Sequence, residues 1–220
     1  MDNSKDLNAY ILSQRLNYGK EFSDTYSNYD NPFTLFGEWF QLAMNEGSGE
    51  PHAMNLATAT STFHVSSRIV LLRDFTEQGF SFFTNYQSKK GQDLLSQKNC
   101  ALNFYWHNIE KQVRIEGFAE KVSTTESDDY FATRPRESQI GAWASAQSEN
   151  LESRDMLLNK IAELEKKYTD MPVTRPPHWG GFRVVPNYFE FWQGRESRLH
   201  DRLAFTFTDD ETWTRQVLQP

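Results

Sequence analysis

The 220-residue sequence predicts an α+β fold built on an antiparallel β-barrel. Three observations carry that reading. Short runs of aliphatic and aromatic residues recur from Ala53 onward, each bounded by polar turns. Aromatics make up 15% of the chain, led by 17 Phe, which suits pleated, half-buried surfaces better than a helical bundle. Helical periodicity is confined to a few segments before and between those runs. With 38% hydrophobic residues the chain can bury one large core, and no repeat or long linker marks a second domain. Residues 31–220 therefore read as a single domain. Residues 1–30 form a polar arm, either mobile or carrying a short helix over Leu7 to Tyr18.

After Asn31-Pro32, the residues Phe33, Phe36, Trp39 and Ala43 fall at helical spacing, predicting an amphipathic helix over Phe33 to Met44 docked on a sheet. The glycines and proline of Glu46 to Pro51 end it. Ala53 to Thr60, Ser67 to Asp74, Phe80 to Thr84, Ala101 to Trp106 and Gln112 to Val122 read as strands. Ser88 is a natural cap for a short helix reaching Ser96. Helices follow over Thr124 to Thr133, over Pro135 to Ala146, and from Leu151 to Tyr168, the last with Leu157, Ile161, Leu164 and Tyr168 on one face. Gly180-Gly181 opens a final β region. It contains EFWQGRESRLHDR (Glu190 to Arg202), which reads as a hairpin turning at Gly194.

Composition removes several function classes. A net charge of -7 and a pI near 5.3 argue against a general nucleic-acid binder, so any anion site must be local. The single cysteine, Cys100, lies in an apolar run and reads as core, which excludes an intrachain disulfide framework. The five histidines are scattered and no His-Glu-x-x-His occurs, so no metal is expected. Gly47-x-Gly49 lacks the third glycine of a nucleotide loop, and there is no Gly-x-Ser-x-Gly elbow. No signal peptide opens the sequence, and no apolar run approaches the roughly 20 residues of a membrane helix, so the cytoplasm is the expected location.

Local cations are the remaining signal. Side-chain alternation puts Arg198, His200 and Arg202 on one strand face, a poor packing surface but a good one for an anion. An ordinary solvent-facing strand carries such charges too, and spacing alone does not separate the two. Arg68 and Arg73 bracket an apolar strand on opposite faces, so they should not hold the same atom. Lys89 and Lys90 begin a helix, where the dipole favours an anion but where lysines are also ordinary surface. Tyr130, Arg134 and Ser138 are spaced by four and four, and Pro135 suits the first turn of a new helix. Hydroxyls, guanidinium and helix start form a candidate phosphate cradle.

The hairpin resembles the C-terminal signature of the pyridoxamine 5′-phosphate oxidase family. RIVLLR, FFTNYQSKK, EKQVRIEG, YFATRPRESQIGAW and HWGGFRV resemble further family segments in the same order, from about Asn31 to the C-terminus. The resemblance implies an antiparallel split barrel, homodimeric, with FMN at the dimer interface. It implies oxidation of pyridoxamine or pyridoxine 5′-phosphate by O2 to pyridoxal 5′-phosphate in vitamin B6 metabolism, releasing H2O2 and, from the amine, ammonia. For FMN it implies Arg68 with Ile69, Val70, Leu71 and Leu72, then Phe83, Thr84, Lys89, Lys90 and Gln112. Gln147, Ser148, Trp192 and Arg202 would come from a second subunit. Arg73, Tyr130, Arg134 and Ser138 would hold the substrate phosphate, while Arg198 and His200 would flank the pyridine ring as the catalytic pair. Arg15 and Tyr18 match a segment that closes over the substrate.

Three positions depart from the family's usual pattern: Arg73 replaces a common lysine, Lys89 an arginine and Phe83 a tyrosine. Charge or ring is kept each time, although arginine and lysine differ in how they grip a phosphate. Two other readings stay open, a non-catalytic FMN or pyridoxal-phosphate carrier and a split-barrel flavin reductase with another substrate. Neither needs the Arg198 and His200 face.

Overall fold

The structure, a computed structural model, describes Tyr10, Tyr18, Gly19 and residues 29–220. Arg15 and most of the expected 7–18 helix lie outside them. Helix α1 (Pro32–Asn45) starts at a cap: the Asn31 side chain accepts the Phe33 N–H at 2.8 Å, and Pro32 follows it directly. The helix buries Phe33, Leu35, Phe36, Trp39 and Ala43 and leaves Met44 exposed, so its inner face follows the predicted periodicity.

Nine strands form one sheet among the described residues: β1 (Ala53–Ala59), β2 (Val65–Leu71), β3 (Asp74–Thr76), β4 (Gly79–Asn85), β5 (Asn99–Trp106), β6 (Lys111–Lys121), β7 (Trp179–Gln193), β8 (Asp201–Phe207) and β9 (Trp213–Leu218). Every pairing is antiparallel. The order is β2-β1-β5-β6-β7-β4-β3, with β8 added beside β7 and β9 beyond it. β7 serves three neighbours. Its first half pairs with β4, its second with β8, and β6 runs along both. The register shifts between Glu116 and Gly117, opposite Pro186, which has no N–H to give the ladder. A Cβ on Gly117 would lie 2.1 Å from the Val185 carbonyl oxygen, so the close approach at this bend requires glycine.

The concave side holds an aromatic core. Phe36 meets Phe80 and Phe104 at 4.9 and 5.1 Å, Phe33 meets Phe189 at 5.2 Å, and Trp39 meets Phe191 at 5.3 Å. Cys100 is buried as expected, and burial pushes its thiol up to about 12. A smaller cluster of Phe131, Ile140, Tyr168, Val173 and Trp179 joins α3 (Thr124–Thr133), α4 (Arg136–Ala144) and α5 (Arg154–Lys167) to the start of β7. Together these make the expected α+β architecture, a curled antiparallel sheet with peripheral helices.

Some boundaries differ from expectation. The strand read over 67–74 is two strands, because the Leu72 N–H bonds to His52 and the Arg73 N–H to Ser81, handing the chain from β1 to β4. Pro135 sits at the N-cap of α4, just ahead of its first turn. α5 starts later than Leu151, where Ser153 accepts the Met156 N–H. No helix among the described residues is long and apolar enough to cross a membrane.

Candidate active site

The end of β2, the middle of β4 and the α3–α4 junction enclose a cleft of about 450 Å³, a size suited to a small molecule. Arg73, Tyr130, Arg134 and Ser138 all reach its wall. Arg73 comes from the turn after β2, and the other three come from two helices and the junction between them, not from one helix. Arg134 is extended (φ -72°, ψ 146°), as a residue before proline prefers, so α3 ends there and α4 restarts after Pro135. Tyr130 in the last turn of α3 and Ser138 in the first of α4 then face the same space.

Aromatic rings line that space. Phe83 stacks on Tyr130 at 4.0 Å and on Trp179 at 5.7 Å, and the Arg134 guanidinium lies 4.4 Å over Trp179. Arg134 Nη1 is buried with no hydrogen-bond partner among the described residues. Burial lowers the pKa of Arg134, as does the charge of Arg73, with Tyr130 opposing. It nevertheless stays charged, since guanidinium titrates far above neutral pH. An orphaned, charged donor beside a second guanidinium asks for an anionic oxygen.

The same cleft is lined by Ile69, Val70, Leu71, Phe83, Thr84, Lys90 and Gln147. Lys90 donates to Thr84 Oγ1 at 3.2 Å and to Gln147 Oε1 at 3.1 Å. Ser148, in the left-handed region (φ 75°), turns its Oγ back to accept the Lys89 N–H at 3.1 Å. Gln147 and Ser148, expected to serve the site of a second subunit, lie beside Thr84, Lys89 and Lys90 of their own chain. The loop after α4 folds back because Asn85 Nδ2 bonds the Ser145 carbonyl at 3.4 Å.

Arg68 lies just behind this wall. It donates to Thr58 Oγ1 at 2.7 Å and Ser66 Oγ at 2.6 Å, and sits 4.0 Å from Asp93 of α2 (Lys89–Ser96). Lys89 approaches the same buried carboxylate at 3.3 Å. Burial lowers the pKa of both Arg68 and Lys90, and the charge of Arg68 lowers that of Lys90 further. Leu72, expected with the other β2 residues, turns into the core.

The hairpin requires a larger correction. Alternation along a continuous strand predicts one face for Arg198, His200 and Arg202, but β7 ends at Gln193 and β8 starts at Asp201. Between them Ser197 (φ 56°) and Arg198 (φ 63°) are both left-handed, a conformation that costs a non-glycine residue about 1–2 kcal/mol. Arg198 and His200 are loop residues. Arg202, on β8, makes paired 3.0 Å bonds to the buried Glu190, which also binds Arg114 at 3.0 Å. His200 instead packs against Trp192 at 4.6 Å and Tyr18 at 5.7 Å. Its Nδ1 accepts the Arg195 N–H at 3.0 Å. Tyr18 occupies the space of a Gly194 Cβ, which would lie 2.6 Å from its ring. Gln112 faces Trp192 in register from β6. None of Arg198, His200, Trp192, Gln112 or Arg202 lines the cleft of its own chain.

Sequence reasoning passed over Asp93, Trp179, Glu190 and Arg195. Asp93 carried a signal, since an acid four residues after Lys89 on a helix faces it. The others act through partners distant in the chain or through main-chain atoms.

Comparison with known proteins gives a consistent family. Residues 41–168 match the model described as pyridoxamine 5′-phosphate oxidase, and residues 179–220 the pyridoxine 5′-phosphate oxidase C-terminal dimerisation region. A pyridoxine/pyridoxamine 5′-phosphate oxidase of Microcystis aeruginosa is 48% identical over 96% of this chain and 98% of its own. That of Nostoc punctiforme is 53% identical over 86% of this chain and 89% of its own. The crystal structure of PhzG from Burkholderia lata 383, in complex with tetrahydrophenazine-1-carboxylic acid, superposes with a TM-score of 0.86 at 31% identity, covering 92% of this chain and 99% of that one. A pyridoxamine 5′-phosphate oxidase-related, FMN-binding protein from Nostoc punctiforme shares the fold, with a TM-score of 0.70 at 14% identity over 86% of this chain and 98% of that one. The chain belongs to the pyridoxamine 5′-phosphate oxidase family, a family of FMN-dependent oxidoreductases.

Proposed function

We propose that this chain oxidises pyridoxamine and pyridoxine 5′-phosphate to pyridoxal 5′-phosphate, with O2 as acceptor, H2O2 as product and ammonia released from the amine. The observation that carries the reading is the cradle of Arg73, Tyr130, Arg134 and Ser138, with its orphaned guanidinium nitrogen, in the same cleft as Thr84, Lys90 and Gln147. The residues present fit FMN. Arg68 on β2 and Lys90 in the first turn of α2 are partly buried cations that repel each other, which suits a phosphate at that helix start. Ile69 to Leu71 and Phe83 offer apolar and flat surface for a ring. Bound there, FMN would supply the two-electron redox chemistry.

The protein's own part is binding and orientation. Arg73, Arg134, Tyr130 and Ser138 hold the substrate phosphate. Arg198 covers the pyridine ring, and His200 contacts its substituents and moves a proton. Because Trp192, Arg198, His200 and Arg202 do not line the cleft of their own chain, we assign them to the cleft of a second copy, placing FMN at the dimer interface. Gln112 goes with the Trp192 it faces.

Purified protein should be yellow, consume O2 with either phosphate ester and accumulate the pyridoxal 5′-phosphate chromophore. Bound flavin without turnover would point to a carrier or to a reductase with another substrate. Arg198→Ala should cut turnover while FMN is retained. If flavin loss accounted for the whole defect, the role given to Arg198 would be wrong.

A further inference from the structure

We infer that Arg195 is a positioning residue: its main-chain N–H and its salt bridge to Asp201 keep His200 neutral, with the proton on Nε2. The inference deepens the role given to His200 above and rests on geometry at both ends of one loop. Arg195 stands at the start of the loop and His200 at its end. The left-handed pair Ser197 and Arg198 turns the chain between them. The Arg195 N–H points at His200 Nδ1 across 3.0 Å. That nitrogen must then be an acceptor. A proton on it, in the other tautomer or in imidazolium, would set N–H against N–H. The Arg195 side chain meanwhile bonds through Nε to the carboxylate of Asp201, the residue next to His200.

The charges around the imidazole give that salt bridge its consequence. Arg198, from the same loop, disfavours imidazolium, whereas Asp201 favours it. Arg195 occupies the one acid of this set, so its favour is partly cancelled. Lys111, from β6, bonds to Gln193 and adds positive charge near Arg195 and Asp201. Trp192 covers one side of the ring and Tyr18 meets it edge-on. Burial is the largest influence and, like Arg198, lowers the pKa of His200. The imidazole is thus left with Nε2–H as its outward donor, and no further cation is added beside Arg198.

The test reads the imidazole directly. In oxidised, FMN-loaded protein carrying 15N-histidine, His200 is assigned by its loss in His200→Asn and then titrated. The wild type should show the Nε2–H tautomer and a midpoint below the ordinary value of about 6.5. Arg195→Gln, which releases Asp201 but keeps the N–H, should raise the midpoint by about half a pH unit or more. Asp201→Asn should lower it, and Arg195→Lys should return it to near the wild-type value. An Nδ1–H tautomer in the wild type would overturn the inference. So would an unchanged midpoint in Arg195→Gln, or shifts of the same sign in Arg195→Gln and Asp201→Asn. Lys111, pushed down to about 7, titrates nearby, which is why the ring's own resonances are followed. Turnover does not enter this readout. Failure of the catalytic reading would instead appear as full activity in His200→Asn.

Discussion

A guanidinium nitrogen buried without a partner costs more than one left in water, so Arg134 Nη1 carries a deficit that a ligand oxygen can relieve. Charge-assisted hydrogen bonds are worth about 1.5–3 kcal/mol, or roughly 10- to 100-fold in binding. Arg134→Ala should therefore raise the KM for the phosphate substrate by about that factor and change kcat much less, as measured by steady-state kinetics. An unchanged KM would rule out the cradle. Ser138→Ala removes a neutral hydroxyl and should cost severalfold. These residues were legible because their positions in the chain carry the geometry: four-residue spacing with a proline between two helix turns. Arg195 was not. Its part depends on a main-chain N–H and on a turn through two left-handed non-glycine residues, neither of which leaves a mark in the pattern of side chains.

Elements were readable where one periodicity governed them. α1 repeats apolar residues at helical spacing, and its buried face is the one that spacing indicates. The β5 and β6 strands alternate buried and less buried positions as the pleat requires. The segment after Trp192 failed because Arg198 to Arg202 can be written as one strand, while Arg198 and His200 belong to the turn that brings β8 back beside β7. Two-residue alternation cannot report a positive φ. The docking of α1 gives a test at this scale. Phe36 is fully buried against Phe75, Phe80 and Phe104, so Phe36→Ala should lose about 3–5 kcal/mol in urea denaturation. Met44→Ala, on the exposed end of the same helix, should stay within about 0.5 kcal/mol. Equal losses would mean that burial of its inner face does not set the contribution of α1.

At the scale of the molecule, an acidic chain gathers one group of cations around the cleft and another around the β7–β8 loop, and the second group lies within the matched dimerisation region. Packing the second group has a cost. Lys111 is buried under that loop, with its ammonium 3.9 Å over the Trp39 ring, and its pKa is pushed down to about 7. Burial is the main cause, Arg195 adds to it and Asp201 opposes it. Below pH 7 the folded and unfolded states both carry the proton, and Lys111 makes stability no function of pH. Between pH 7 and the ordinary lysine value of 10.5, the unfolded chain binds a proton that the folded one has released, so stability must rise with pH. The slope from one such group cannot exceed about 1.4 kcal/mol per pH unit. The rise should slow near pH 9 and level off above it, where the unfolded thiol of Cys100 ionises while the buried one, at about 12, does not, and the two opposite slopes cancel. A folded pKa raised in this way contributes stability at lower pH that is lost as pH climbs. Urea denaturation of the wild type from pH 7 to 10 should thus show stability rising from pH 7 and levelling off above pH 9. Lys111→Met should flatten the rising limb and be the more stable protein at pH 7, because the methionine fills the site without an ammonium to desolvate. A wild-type limb that is already flat would mean that Gln193 and Trp39 hold the charged ammonium well enough to cancel its burial.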